Sequence, residues 1–123
     1  MSISNGTGDP TLEFTELTLG KSKYKLIFDF EAIARAEELT GMSLLFGVDF
    51  RNLKLAQLRG MLFASMLVAQ PEITLPEVTK LMRSEKSVAA AYQAVFEAWA
   101  VSNREHEAEE TENPTRPAPA PAT

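Results

Sequence analysis

Residues 24–41, YKLIFDFEAIARAEELTG, change from a strand pattern to a helix pattern without a loop between them. In the first part the side chains alternate, so Tyr24, Leu26 and Phe28 would share one face of a strand while the lysines face water. From residue 30 onward, apolar side chains recur at the spacing of a helix, which would place Phe30, Ile33 and Ala34 on one stripe. The stretch therefore predicts a strand that leads directly into an α-helix.

Asp29 occupies this junction, the kind of position at which α/β enzymes often place functional groups. Aspartate is also among the preferred N-cap residues, because its carboxylate accepts hydrogen bonds from the free N–H groups of the first helical turn. Gly41 ends the helix pattern where a left-handed C-cap belongs. We therefore interpret Asp29 as a helix cap, and we expect Phe28 and Phe30 to anchor the strand to the helix.

Two apolar segments, residues 11–20 and 23–28, predict a β-hairpin with a tight turn that begins at Gly20. In the first segment, the apolar residues before and after Thr15 are out of phase with each other. A β-bulge, or a strand that starts only near Thr15, would bring the apolar residues of this strand to one face.

Three further helices are predicted after the first one. The longest apolar pattern spans about Leu53 to Ala69 and ends before Pro71, which cannot continue a helix. Thr74 and Glu77 have the spacing of a capping box at the start of the next helix. The last helix is predicted from about Glu85 to Ser102.

The predicted fold class is α+β and mainly α, with an N-terminal β-hairpin followed by a compact bundle of four to five helices. The number depends on whether residues 42–50 form a short helical turn or a packed loop. Residues 11–103 form a single domain after a flexible N-terminus at 1–10. Residues 104–123 combine an acidic run with alternating proline and alanine, which predicts a disordered tail or linker.

Composition and charge exclude several classes of function. Cysteine is absent, so disulfides and thiolate chemistry are excluded. The formal net charge is −5, and the segment from Arg104 onward contributes −3 of it, so the predicted domain is close to neutral. No basic cluster suits a phosphate backbone, and the longest apolar stretch, GMLFASMLVA, is too short to span a bilayer. We expect no nucleic-acid and no membrane partner, and a soluble, intracellular protein.

The sequence offers no arrangement of residues that is typical of catalysis. His106 is the only histidine and lies in the acidic run, so no serine has a histidine partner that is held in place. Glu37 and Glu38 are adjacent on a helix and diverge by about 100°, so they do not form a carboxylate pair. No metal-ligand spacing occurs. We predict a protein that is not an enzyme, with no catalytic residue, no cofactor and no metal.

The two long helices carry apolar side chains on more than one face. One interpretation assigns all of these side chains to a single core. The other assigns part of them to a surface that binds a client helix or a second copy of the chain, as in helix-in-groove recognition. From helical spacing, the candidate residues of this surface are Leu62, Phe63, Met66, Leu67, Phe96 and Trp99.

The order of these motifs resembles the tail assembly chaperones of long-tailed bacteriophages, including related proteins in gene transfer agent clusters. The resemblance covers residues 12–102. It rests on the strand that runs into DFEAIARAEELTG, on the helix LAQLRGMLFASM and on the segment PEITLPEVTKLM. It implies a protein that binds and solubilises the tape measure protein and promotes tail tube assembly.

The resemblance also implies where and with whom the protein acts. These chaperones work in the cytoplasm of the bacterial host during virion assembly and are absent from the mature particle. Many members have a longer form, made by a programmed frameshift, whose extra domain engages the tail tube subunit. No cofactor and no ATP site are expected in such a protein.

Three other functions stay open at this point. A structural tail component, such as a tube or completion subunit, would be found in purified particles. A small non-enzymatic adaptor domain would be a stable monomer that is indifferent to tail proteins. An enzyme that acts through Asp29 would need a basic or nucleophilic partner, which the sequence does not supply.

Overall fold

The computed structural model describes the backbone of residues 14–112 and the side chains of residues 14–103. The elements follow in the order β1 (Thr15–Leu19), β2 (Ser22–Leu26), α1 (Phe30–Thr40), a 3-10 turn (Phe50–Asn52), α2 (Leu55–Leu67), α3 (Leu75–Leu81) and α4 (Glu85–Glu112). The predicted fold class, a β-hairpin followed by a mainly helical body, is confirmed. The described residues contain four α-helices, and most of the segment between α1 and α2 is a loop.

The hairpin pairs β1 with β2 in antiparallel register, and Leu17 lies opposite Tyr24. β1 starts at Thr15, which is one of the two arrangements that the sequence pattern allowed. Successive side chains of a strand point to opposite faces, so Thr15, Leu17 and Leu19 share one face. All three are buried. The apolar face of β1 is therefore in phase without a bulge.

Gln70 attaches β2 to the segment that follows α2. Its side-chain oxygen accepts a hydrogen bond from the Lys25 N–H at 2.8 Å, and its amide nitrogen donates to the Lys25 carbonyl at 3.0 Å. The Ile27 N–H donates to the Ser65 carbonyl of α2 at 2.9 Å. Since an isolated two-stranded hairpin is marginally stable in water, these contacts and the buried face of the hairpin hold it in place.

Small residues bring α1 and α2 close together. Ala32 and Ala36 are the buried residues of α1. Gly60 of α2 lies against the end of α1, where an added Cβ would come within 2.7 Å of the Thr40 γ-methyl group. The two helices therefore approach more closely than larger side chains would allow.

The apolar stripe predicted for α1 is wrong in part. Phe30 is 69% exposed and Ala34 is exposed, whereas Ile33 is partly buried. The close approach to α2 turns the small residues of α1 inward and leaves Phe30 at the surface. The expectation that Phe30 anchors the strand to the helix is corrected, but Phe28 is buried in the core.

The core lies between the hairpin, α2 and α4. Met61, Leu62 and Met66 of α2 are fully buried, as is Val95 of α4. α4 meets this core with several small residues, and its buried alanines are Ala91, Ala94 and Ala98. The alanine-rich face of α4 is thus a packing face.

α4 is longer than the sequence pattern predicts. The prediction ended this helix near Ser102, whereas its backbone is helical as far as Glu112. Glutamate and alanine, which dominate residues 105–112, are good helix formers, so the acidic composition does not stop the helix. The expectation of a disordered segment from residue 104 is corrected for 104–112, and its remaining part, 113–123, lies outside the described residues.

The predicted caps of α3 are formed by Thr74 and Glu77. The Thr74 N–H donates to the Glu77 carboxylate at 2.8 Å, and the Glu77 N–H donates to the Thr74 hydroxyl at 3.3 Å.

In the part of the chain that the structure describes, no helix combines the length and the hydropathy needed to cross a bilayer.

Candidate functional site

Asp29 is the N-cap residue of α1. Its carboxylate accepts a hydrogen bond from the Ala32 N–H at 2.8 Å, and the Gly41 N–H closes the other end of the helix on the Glu37 carbonyl at 2.8 Å. Gly41 has a φ of 76°, the left-handed conformation that glycine adopts without steric cost. The local role of Asp29 is therefore to start α1. Three residues separate the end of β2 at Leu26 from the start of α1, so the strand does not lead directly into the helix as predicted.

Three of the six residues predicted for a client surface are in the core. Leu62 and Met66 have no exposed surface, and Trp99 is 7% exposed. α2 is covered by other elements over most of its surface, which helical spacing alone does not reveal. The prediction that Leu62, Met66 and Trp99 belong to a surface that binds a client helix or a second copy is corrected.

The other three predicted residues are closer to the surface. Phe63 and Leu67 are partly buried, and Phe96 is 45% exposed. The Phe96 ring packs edge-on against Phe50, with 5.2 Å between the ring centroids. The six residues therefore do not form one continuous exposed surface.

The structure instead places an apolar groove between the start of α1, the loop after α1, and α4. We call it the Trp99 groove. Its volume is about 320 Å³, and it is lined by Phe30, Ile33, Leu44, Leu45, Phe46, Gly47, Trp99 and Asn103. None of these residues carries a charge, so the groove offers apolar contacts and very few polar ones.

Three large apolar side chains of the Trp99 groove are strongly exposed. Phe46 is 93% exposed, Leu45 76% and Phe30 69%. Large apolar side chains that cluster at a surface are typical of sites that bind another protein. The sequence signal for this site was the uninterrupted run Leu44-Leu45-Phe46, in which only Leu44 is buried.

The loop that carries Leu45 and Phe46 is anchored at its base. The Leu44 N–H donates to the Glu37 carboxylate of α1 at 2.8 Å, and the Leu44 side chain is buried. Gly47 has a φ of 113° and its N–H donates to the Leu44 carbonyl at 3.3 Å. A turn closed in this way holds the two exposed side chains beside α4.

The bottom of the Trp99 groove is held by the strand–helix junction. The Trp99 ring packs edge-on against Phe28, with 5.4 Å between the ring centroids. The buried Ser102 hydroxyl donates to the Phe28 carbonyl at 2.7 Å. The residues at the junction of β2 and α1 therefore fix the position of α4 beneath the groove.

A second groove lies at the start of α4, and we call it the Tyr92 groove. Its volume is about 600 Å³, and it is lined by Leu55, Met82, Arg83, Ser84, Glu85, Val88, Ala89, Tyr92 and Gln93. The Tyr92 hydroxyl donates to the Phe50 carbonyl at 2.9 Å, which ties α4 to the 3-10 turn. Unlike the Trp99 groove, this one has charged residues in its lining.

Among residues 14–103, no group of three or more histidine, aspartate or glutamate side chains is placed to hold a metal ion. Every buried side-chain nitrogen or oxygen atom of the same residues has a hydrogen-bond partner. The exposed apolar side chains of the Trp99 groove are suited to contact with apolar or amphipathic segments.

Comparison with known proteins gives no match to a protein-family model, to a curated protein or to a solved structure.

Proposed function

We propose that this chain is a non-enzymatic tail assembly chaperone of the long-tailed bacteriophage or gene transfer agent type. It binds apolar helical segments of the tape measure protein in the host cytoplasm, keeps that protein soluble and leaves it as the tail tube assembles. A longer form engages the tail tube subunit. The sequence resemblance over residues 12–102 supports this proposal, and so does the exposed apolar surface of the Trp99 groove.

The observation that carries the proposal is the exposure of Phe30, Leu45 and Phe46 around one apolar groove. A client helix that covers them would remove their surface from water, and full burial of such a side chain contributes on the order of 1.5–3 kcal/mol. Three of them together contribute roughly 4.5–9 kcal/mol before the entropic cost of association, so these contacts alone give a net affinity weaker than micromolar. Binding of this strength is reversible, which suits a chaperone that is later displaced.

The apolar lining of the Trp99 groove suits a helical client. An amphipathic helix presents apolar side chains at a spacing of three and four residues, and such side chains commonly enter a hydrophobic groove. The groove has no charge in its lining, so recognition depends on the pattern of apolar residues and tolerates many sequences. A long helical client with repeated apolar positions meets this requirement.

Co-expression with a long helical tape measure candidate tests the proposal. We expect the client to be soluble and to co-purify with the wild-type chain, and to be lost with Phe46→Asp, which places a charge in the apolar contact. Phe14→Asp is the matched control, because Phe14 is 48% exposed and does not line the Trp99 groove. A client that ignores the wild-type chain would refute the chaperone proposal, and recovery of the chain in purified particles would favour a structural tail component.

A further inference from the structure

The Tyr92 groove has basic residues in its lining and next to it in sequence. Arg83 lines it, and the exposed Lys54 and Lys86 are the sequence neighbours of Leu55 and Glu85 in its lining. Glu85 is the one acidic residue in that lining. The floor is apolar and includes an aromatic ring, so the groove suits a segment that combines acidic and apolar residues.

The same chain contains a segment with this composition. Residues 105–112 include five glutamates, and residues 117–122 alternate proline with alanine. The glutamates lie on the part of α4 that continues beyond the buried Ser102. Acidic residues followed by Pro-Ala repeats match a basic edge beside an aromatic floor, and aromatic-lined grooves commonly bind proline-rich segments.

α4 carries the glutamates of this segment away from the groove of their own chain. The helix rises 1.5 Å per residue, so Glu112 lies roughly 36 Å along the axis from Val88 in the groove. Residues 113–122 in a polyproline conformation would span only about 31 Å. Tyr92 lies roughly 30 Å along the axis from Glu112, so a tail that doubled straight back would only just reach it, whereas the glutamates on α4 are carried away from the groove of their own chain.

We propose that the Tyr92 groove binds the acidic and Pro-Ala segment, residues 105–122, of a second copy of this chain. The glutamates lie beside Arg83, Lys86 and Lys54, and the Pro-Ala repeats pack against Tyr92 and the apolar floor. The contact joins two different surfaces, so it either closes as a reciprocal pair or continues as a chain of molecules. It does not depend on the chaperone function.

Sedimentation velocity on the full chain tests this contact, over a range of concentrations at low and high ionic strength. We expect self-association that weakens with salt, because screening acts on exposed charges. The groove variant Arg83→Glu with Lys86→Glu and the tail variant Glu109→Lys with Glu110→Lys should each weaken association by about tenfold or more. A mixture of the two variants should recover association, because the reversed groove then meets a reversed tail.

The control variant Lys21→Glu with Lys23→Glu makes the same change in net charge as the groove variant, at exposed positions of the hairpin. It should associate like the wild type. A wild-type chain that stays monomeric throughout overturns the proposal. So does an association that the groove and tail variants leave unchanged, or a mixture that recovers nothing.

Discussion

The two grooves lie at different parts of the same helix and differ in charge. The Trp99 groove has an uncharged lining and three strongly exposed apolar side chains, whereas the Tyr92 groove combines an apolar floor with Arg83 and Glu85. Binding at the first should depend on buried apolar area and hardly on salt. Binding at the second should depend on charge and weaken with salt. Ionic strength therefore separates the two kinds of contact in one protein.

The comparison also shows how α4 can serve both grooves. Ala91, Ala94 and Ala98 pack in the core with Val95, whereas Tyr92 is only partly buried and Phe96 is exposed. Tyr92 reaches the 3-10 turn at one groove, and Trp99 packs on Phe28 at the other. A change near one of these aromatic contacts should therefore affect one groove more than the other.

Trp99→Ala should have the largest effect on stability. Trp99 is 7% exposed and packs on Phe28, so its removal leaves a cavity beneath the Trp99 groove. Truncation of a buried tryptophan lowers the free energy of unfolding by about 3–5 kcal/mol, which urea denaturation followed by circular dichroism would measure. Phe96→Ala, at a 45% exposed position, serves as the comparison and should lose clearly less. Equal losses would contradict the assignment of Trp99 to the core.

Gly60→Ala should have the next largest effect. The added Cβ would lie 2.7 Å from the Thr40 γ-methyl group, so either the Thr40 side chain or α1 has to shift. Overpacking of this kind costs about 1–3 kcal/mol in thermal or urea unfolding. The double variant with Thr40→Ser removes the methyl group and retains the hydroxyl that donates to the Ala36 carbonyl at 2.7 Å. It should regain part of the loss, and failure to do so would rule out this contact as the cause.

Asp29→Ala should have a smaller effect. The substitution removes the hydrogen bond to the Ala32 N–H, and loss of such an N-cap costs about 1 kcal/mol. Asp29→Asn can still accept that hydrogen bond and should stay close to the wild type in chemical denaturation. If client binding disappeared in Asp29→Ala while stability was unchanged, the assignment of Asp29 as a structural cap would be wrong.

Phe46→Asp and Leu55→Asp should have the smallest effects on stability, because the two side chains are 93% and 60% exposed. Each should change the free energy of unfolding by about 0.5 kcal/mol or less. Their effects on binding should differ. Phe46→Asp should remove client binding at the Trp99 groove, and Leu55→Asp should reduce self-association at the Tyr92 groove. Co-purification would measure client binding of both variants, and sedimentation would measure their self-association. If each variant impaired both activities, the two grooves would act as one shared site.

The parts of the fold with local signals were predictable from the sequence. The strand pattern, the turn at Gly20 and the caps at Asp29 and Thr74 depend on neighbouring residues, and the structure contains each of them. The orientation of the helices depends on distant contacts. Ala36 and Gly60 allow α1 to approach α2, and no local pattern indicates that this approach leaves Phe30 exposed.

The candidate site was harder to predict for the same reason. Helical spacing selected Leu62 and Met66, which α2 directs into the core, and it left out the loop residues Leu45 and Phe46. Whether an apolar loop residue is buried depends on which elements surround the loop, and the loop pattern itself does not contain that information. Only Trp99 was both predicted from spacing and found to line the Trp99 groove.

The most direct test of the central claim uses Trp99 as its probe, because it is the only tryptophan of the chain and lines the groove. A helical tape measure peptide without tryptophan would be titrated into the full chain while Trp99 emission is recorded at low and high salt. A saturable change in emission that is insensitive to salt, lost in Phe46→Asp and retained in Leu55→Asp is the predicted result. Binding detected by anisotropy of a labelled peptide, with no change in Trp99 emission and no loss in Phe46→Asp, would contradict the claim.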